Sequence, residues 1–271
     1  MREILRITFI GGGNMAEAII SGIKKTNLVY NITVSEPVKS RRTHLLETYQ
    51  VNVEKNNVIA IQKADLIILS VKPQSFKELS SEICDMLSDN QTILSIMAGI
   101  NLHHISMNLN HHKIVRVMPN TPAQVGKGVA VWTATDSVDS EMLKFIKAIF
   151  QSCGIEIQVN EEKYIDVATA ISGSGPAYVF LFIEALIDAG VKLGLESGLA
   201  RKLAIETVLG SAHLASNSTK HPNELRRMVT SPGGTTESGL KTLELKGFKT
   251  SIDRAVNSAF NRGIELSKEV K

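Results

Sequence analysis

The apolar positions of the chain change their rhythm once. Over the first 160 residues short β-rich runs recur, at Leu5 to Ile10, Ile32 to Ser35, Leu66 to Val71, Thr92 to Met97, Ile114 to Met118, Val129 to Thr133 and Ile155 to Val159. Between the early runs lie stretches of helical period: Met15 to Lys24, Arg41 to Tyr49, Phe76 to Leu87 and Leu102 to Leu109. Near-continuous Ile, Leu and Val runs belong to a sheet covered on both faces, and their alternation with helices predicts a mostly parallel α/β sheet. After Val159 no further β-rich run occurs, and the pattern is helical to the end. The expected division is an α/β domain over residues 1–160 and an all-helical domain over residues 161–271.

The longest apolar element is Tyr178 to Leu195, interrupted only by Glu184, Asp188 and Lys192 at intervals of four. Those charges form one stripe on a helix that is otherwise apolar around most of its circumference, so it is expected to be buried from several sides. Regular charges argue against a membrane span. About 110 residues are few to enclose such a helix, and the expected cover is a second subunit.

Composition narrows the function classes. Lys plus Arg number 30 and Asp plus Glu 27 in 271 residues. The net +3 is spread as +2 over residues 1–160 and +1 over 161–271, so neither half offers nucleic acid a basic surface. Two cysteines, Cys84 and Cys153, have neither disulfide-framework nor zinc-ligand spacing and read as core thiols of a reducing compartment. Arg6 and the glycines at 11–13 interrupt the apolar N-terminus before a signal peptide develops. A cytoplasmic protein is expected.

The first chemistry follows the first strand. Gly11, Gly13 and Ala16 form G-x-G-x-x-A between a strand and a helix, the arrangement that binds a dinucleotide. Gly11 makes the tight turn, Gly13 admits the pyrophosphate, and Ala16 allows close helix packing. NAD or NADP is the implied ligand. The end of the second strand carries both signals: Glu36, 23 residues after Gly13, suits ribose hydroxyls, whereas Ser35, Lys39, Arg41 and Arg42 suit a 2′-phosphate.

In an open α/β sheet, ligands bind beyond the carboxyl ends of strands. The segments to read there are Val71-Lys72-Pro73-Gln74, Ala98-Gly99 and Arg116 to Ala123, where Asn120 and Thr121 offer amide and hydroxyl groups to a nicotinamide or its ribose. The helical half adds two glycine-bearing segments read as helix starts, Ser172-Gly-Ser-Gly-Pro-Ala-Tyr178 and Ser231-Pro-Gly-Gly-Thr-Thr236. Consecutive N–H groups there would receive an oxyanion, and a carboxylate fits well. That half has no His or Lys set in a glycine loop for deprotonating an alcohol, and His221 beside Pro222 reads as a helix-start residue. A hydride acceptor that is already electrophilic, such as a C=N bond, needs orientation and a hydrogen bond instead. The pairs His103-His104 and His111-His112 have no Cys or close carboxylate beside them and read as a solvated face, not a metal site.

Together, Ile10 to Ala16, Val71 to Gln74, Arg116 to Ala123 with Val125-Gly126, Ser172 to Tyr178 and Ser231 to Thr236 resemble the pyrroline-5-carboxylate reductases in order and spacing, from about residue 5 to 265. The resemblance implies a Rossmann-type, doubly wound N-terminal domain and an all-helical C-terminal dimerisation domain. It implies reduction of 1-pyrroline-5-carboxylate to L-proline by NADPH, with NADH as the alternative, in a homodimer or higher oligomer. Carried over by position, Gly11, Gly13, Asn14 and Met15 would lie on the cofactor phosphates and Ser35 near the adenosine ribose. Lys72, Pro73, Ala98 and Asn120 would surround the nicotinamide and its ribose. Ser231, Gly234, Thr235 and Thr236 would hold the substrate carboxylate, with the catalytic Thr236 hydroxyl near the imine nitrogen. Glu237 stands where that family more often has an apolar residue. The alternatives are a β-hydroxyacid-dehydrogenase-like oxidoreductase, a paralogue for another cyclic imine, and a non-catalytic dinucleotide sensor.

Overall fold

Eight strands among the described residues of the computed structural model, which are 4–26 and 30–269, form one sheet in the order β3-β2-β1-β4-β5-β6-β7-β8. They are β1 (Leu5–Ile10), β2 (Tyr30–Ser35), β3 (Asn52–Glu54), β4 (Leu66–Leu69), β5 (Thr92–Ser95), β6 (Ile114–Met118), β7 (Gly128–Ala134) and β8 (Gly154–Gln158). Every neighbouring pair is parallel except β6 with β7. β4 is apolar at every position, and β4 and β5 are buried throughout, as cover on both faces requires. The helices α1 (Asn14–Lys24), α2 (Lys39–Tyr49), α3 (Asn57–Ile61), α4 (Phe76–Ile83), α5 (Leu102–Leu109) and α6 (Ser140–Gln151) supply that cover. One core layer joins Phe9, Ile19, Leu45, Trp132 and Phe150, and a second joins Ile10, Ile67, Phe76, Ile83 and Ile105. The doubly wound α/β plan expected from the sequence is present. Three strands or helices of this unit lie outside the runs read from sequence: the short edge strand β3 and the five-residue α3, each too brief for periodicity to mark, and the twelve-residue α6.

The chain divides into two compact units, Met1–Ser174 with Ala259–Lys271, and Gly175–Ser258. This division lies beyond the change of texture at residue 160. The reason is α7 (Lys163–Ala168), which is tied to the sheet through Arg116 of β6. The guanidinium of Arg116 is almost fully buried and donates to Glu162 at 2.8 Å and Asp166 at 2.6 Å. A buried guanidinium left without these carboxylates would be strongly destabilising, so the start of the helical half is fastened to the α/β unit.

From Lys163 to Lys192 the backbone is one continuous helix. It widens to a π turn at Thr169–Gly173, where the Ser174 N–H donates to the Thr169 carbonyl at 2.8 Å, and continues as α8 (Gly175–Lys192). The reading of Ser172 to Tyr178 as a helix start with exposed N–H groups is therefore corrected. Pro176 lacks the N–H that would reach the Ser172 carbonyl four residues back. That carbonyl instead accepts from the Asn120 side chain at 2.9 Å, and the wider π turn accommodates the interruption. Pro176 is absorbed within the helix.

The second unit comprises α8, α9 (Ser197–Ser216), α10 (Pro222–Met228), α11 (Thr235–Leu245) and the first part of α12 (Phe248–Glu269). Its helices start on recognisable caps: the Glu196 carboxylate accepts from Gly198 and Leu199, and His221 Nδ1 accepts from Asn223, as expected of a helix-start residue. Its interior is sparse. Ala200 and Ala204 of α9 are buried, whereas Phe180, Leu181 and Leu209 are each 60% or more exposed. The segment 163–192 is long and apolar enough to cross a membrane by length and composition. The burial expected of the long helix is not provided by its own chain.

His111 gives the fold a pH dependence. It is buried behind α5, its Nε2 donating to the Gln91 carbonyl at 2.8 Å, and burial holds its pKa below the usual imidazole value despite that bond. The unfolded chain therefore binds the extra proton first, and this contribution to stability is present above about pH 6.5 and lost as pH falls through the folded value. Unfolding midpoints measured between about pH 7.5 and 5.5 should fall for the wild type and fall less for His111→Gln.

Candidate active site

The turn from β1 into α1 lies where the strand order reverses, beyond the carboxyl ends of β1, β2 and β4. Gly11 has φ +95°, and its N–H donates to the Ser35 carbonyl at 2.8 Å. A Cβ added there would stand 2.7 Å from the Ser70 carbonyl oxygen, so only glycine fits both the torsion and the space. The Ser70 hydroxyl closes the turn from the β4 side by donating to the Ile10 and Gly11 carbonyls. At Gly13, in contrast, an added Cβ would meet no described heavy atom within 4 Å. Gly13 is the N-cap of α1, without a side-chain cap, so the N–H groups of Asn14, Met15 and Ala16 have no intrahelical partner. An open glycine face beside unpartnered N–H groups fits a dinucleotide pyrophosphate.

The other first-unit candidates occupy loops after strands. Ser35 ends β2, fully buried, its hydroxyl donating to Asn57 at 2.7 Å. Lys72 is exposed ahead of a short 3-10 turn at Pro73–Ser75 that follows β4, and Ala98 follows β5, half-buried. Asn120 follows β6, but its side chain is buried, donating to Ser172 and accepting from the Val129 N–H at 2.8 Å. The structure gives that amide an internal supporting role that the motif alone did not reveal. Sequence reading also missed Ser70, a plain serine in a run of apolar residues. The polar residues after β2 turn inward: Glu36 accepts from the Gly12 N–H, and Arg41 donates to the Gly12 carbonyl and pairs with Glu17. Partial burial raises the Glu17 carboxyl, but bonds from His44, Arg41 and Tyr49 outweigh it and hold the group below the usual carboxylate range.

In the second unit, Ser231 to Gly234 form a tight turn into α11. Gly233 has φ +70°, and the Gly234 N–H donates to the Ser231 carbonyl at 3.0 Å. Glu237, in the first turn of α11, accepts from the Gly233 N–H at 2.7 Å, a variant of the capping box that secures the turn. The N–H groups and hydroxyls of Thr235 and Thr236 have no hydrogen-bond partner among the described residues. A cavity of about 650 Å³ adjoins the turn, lined by Arg226, Arg227, Gly233, Gly234, Glu237 and Glu244 among others, with Thr235 and Thr236 outside its lining. Two free N–H groups and two hydroxyls at a helix start suit a small carboxylate. Ser231, Gly234, Thr235 and Thr236 lie together in this turn, and Gly233 and Gly234 use their own N–H groups in shaping it.

Comparison with known proteins decides the family. Residues 162–266 match the family described as pyrroline-5-carboxylate reductase dimerisation, and residues 6–99 match NADP oxidoreductase, coenzyme F420-dependent. The chain is 42% identical to a pyrroline-5-carboxylate reductase of Synechocystis over 98% of its length and 99% of the relative's. The chain belongs to the pyrroline-5-carboxylate reductase family. A reductase of Pseudomonas aeruginosa is 38% identical, with 98% of each chain covered. The crystal structure of Plasmodium falciparum pyrroline carboxylate reductase with NADP bound is 34% identical and superimposes with a TM-score of 0.88, covering 97% of this chain and 98% of that one. The dimerisation match contains the exposed apolar face of α8 and the Ser231 to Thr236 turn.

Two glycines separate folding from binding. Gly13→Ala should leave stability within about 1 kcal/mol, because its Cβ enters open space, yet weaken NADPH binding by about tenfold or more. Gly11→Ala should cost about 2 kcal/mol or more in stability through backbone strain and collision with Ser70. Thermal unfolding and fluorescence titration with NADPH measure the two effects separately.

Proposed function

We propose that this member of the pyrroline-5-carboxylate reductase family reduces 1-pyrroline-5-carboxylate to L-proline at the expense of NAD(P)H. The observation that carries the reading is full-length identity of 42% to a curated reductase in a chain that also has both an open glycine turn and a threonine-lined helix start. The reaction breaks the π bond of the imine, adds a hydride to its carbon and leaves a proton on its nitrogen. When bound, the reduced nicotinamide supplies that hydride.

The residues of the chain hold and orient. The turn at Gly11 and Gly13, with the N–H groups of Asn14 and Met15, receives the dinucleotide phosphates, and Ser35 borders the adenosine ribose. Lys72, Pro73 and Ala98 frame the nicotinamide side, and Asn120 supports that side from within through its bonds to Ser172 and Val129. Ser231, Gly234, Thr235 and Thr236 take the substrate carboxylate, with Thr235 and Thr236 supplying the N–H groups that the turn leaves free. The Thr236 hydroxyl hydrogen-bonds at the imine nitrogen and favours the cationic form that accepts hydride. Such chemistry needs placement more than a strong base, in keeping with the absence of any Lys or His from residues 231–236.

The cofactor half is residues 1–160 and the substrate and self-association half residues 161–271. A second copy of this chain, in a dimer or higher oligomer, covers the apolar residues of α8, whose Phe180 and Leu181 are otherwise 62% and 66% exposed. The enzyme is expected to act in the cytoplasm.

Following NADPH and NADH oxidation with pyrroline-5-carboxylate and its six-membered homologue tests substrate and ring size together. Wild-type protein should turn over the five-membered imine and be silent with 3-hydroxy acids; the reverse pattern would reassign it to a hydroxyacid dehydrogenase. Thr236→Ala should lower kcat/KM about 10- to 100-fold while dinucleotide affinity stays within about twofold. Equal losses in both would remove Thr236 from the substrate site.

A further inference from the structure

Gly12, the middle glycine of the turn, is closed on every side. A Cβ there would stand 2.7 Å from Leu45 and 3.3 Å from the Glu36 carboxylate. Both of its main-chain polar groups are engaged by side chains from the segment after β2. Its N–H donates to Glu36 Oε2 at 2.9 Å, and its carbonyl accepts from Arg41 Nε. The remaining Glu36 oxygen accepts from the Val38 N–H at 2.9 Å, so each carboxylate oxygen already has a main-chain partner, and the residue is 9% exposed. The far side of the Arg41 guanidinium pairs with Glu17 of α1, which also receives His44 and Tyr49. Arg42 donates to the carbonyls of Glu36 and Pro37, securing the segment that carries the acid.

We propose that Glu36 and Arg41 are positioning residues that clamp Gly12 from its two main-chain ends and hold the phosphate-binding turn in shape before a dinucleotide arrives, and that neither reads the 2′ substituent of the ribose. An acid at the end of the second strand normally selects NAD by accepting from the ribose hydroxyls. Here each of its oxygens already accepts a main-chain N–H, from Gly12 and from Val38, which anchors the buried carboxylate in place while leaving each oxygen one further acceptor position, and an N–H to carboxylate bond in a buried setting is stronger than a neutral one. Withdrawing the carboxylate would uncover the Gly12 N–H without a partner, a cost that works against its turning outward to a ribose. Arg41 is likewise held between Gly12 and Glu17, away from the role of phosphate ligand. The clamp therefore acts on the part common to both dinucleotides.

The proposal rests on the reading that this turn binds NAD(P)H, and direct binding keeps the two separable. Dissociation constants for NADH and NADPH are measured by fluorescence titration, without imine, on wild type and on the Glu36→Ala, Glu36→Gln and Arg41→Ala variants. Glu36→Ala and Arg41→Ala should weaken both dinucleotides about tenfold and leave the NADPH to NADH ratio within about twofold. Glu36→Gln, with one acceptor for two N–H groups, should lose less than Glu36→Ala, and it carries the test together with Arg41→Ala if Glu36→Ala does not fold. In the dinucleotide-free protein, hydrogen exchange at the Gly12 amide should quicken in both Glu36 variants. A variant of Glu36 that weakens NADH while sparing or tightening NADPH would overturn the proposal, as would unchanged exchange at Gly12. Wild-type protein that binds neither dinucleotide would instead overturn the reading beneath it.

Discussion

The tight approach of Gly11 to the Ser70 carbonyl is the constraint around which the α/β unit is arranged. β1 lies between β2 and β4, and the turn that leaves it meets both neighbours at once: the Ser35 carbonyl from one strand and the Ser70 hydroxyl from the other. Only a residue without a side chain occupies that space at φ +95°. Because the turn is tight, α1 begins at once with its first N–H groups unpartnered, and the segments after β2, β4, β5 and β6 leave the sheet at the same end. Binding capacity follows from chain geometry, with little need for charge. A near-neutral protein can hold anionic ligands when helix starts and glycine turns supply the donors.

The second unit depends on a different balance. Two of its helices, α9 and α10, have side-chain caps, but few of its apolar side chains find cover within one chain. Exposed Phe180, Leu181 and Leu209 represent apolar surface worth roughly 2 kcal/mol for each side chain on full burial. This uncovered face and the match to a dimerisation family lie in the same residues. The same unit contains the Ser231 to Thr236 turn, so an uncovered apolar face and a candidate substrate turn are built from one set of helices.

Much of this was legible in the sequence. Strands longer than four residues announced themselves as apolar runs, and G-x-G-x-x-A located the turn because glycine there answers a torsion and a clearance that no other residue meets. The π turn was not legible: serine, glycine and proline in succession have the composition of a helix start, and only Asn120, 52 residues away, supplies the donor that lets Pro176 remain inside a helix. Glu36 and Arg41 were visible as charges, but the sequence offered ribose and phosphate as their partners where the fold offers Gly12. Local spacing identifies which groups are near a ligand loop; it does not report which of them the backbone has already claimed. Glu237 illustrates the same limit, since an acid in place of an apolar residue is explained once the Gly233 N–H is found beneath it.

The central claim is that this chain transfers hydride directly from NAD(P)H to a cyclic imine. Reduction of 1-pyrroline-5-carboxylate with NADPH deuterated at the transferring position of the nicotinamide, followed by mass spectrometry of the product, tests it most directly. The account predicts proline carrying one deuterium on the ring carbon next to nitrogen and remote from the carboxylate. Unlabelled proline, or oxidation of the dinucleotide without formation of proline, would contradict it.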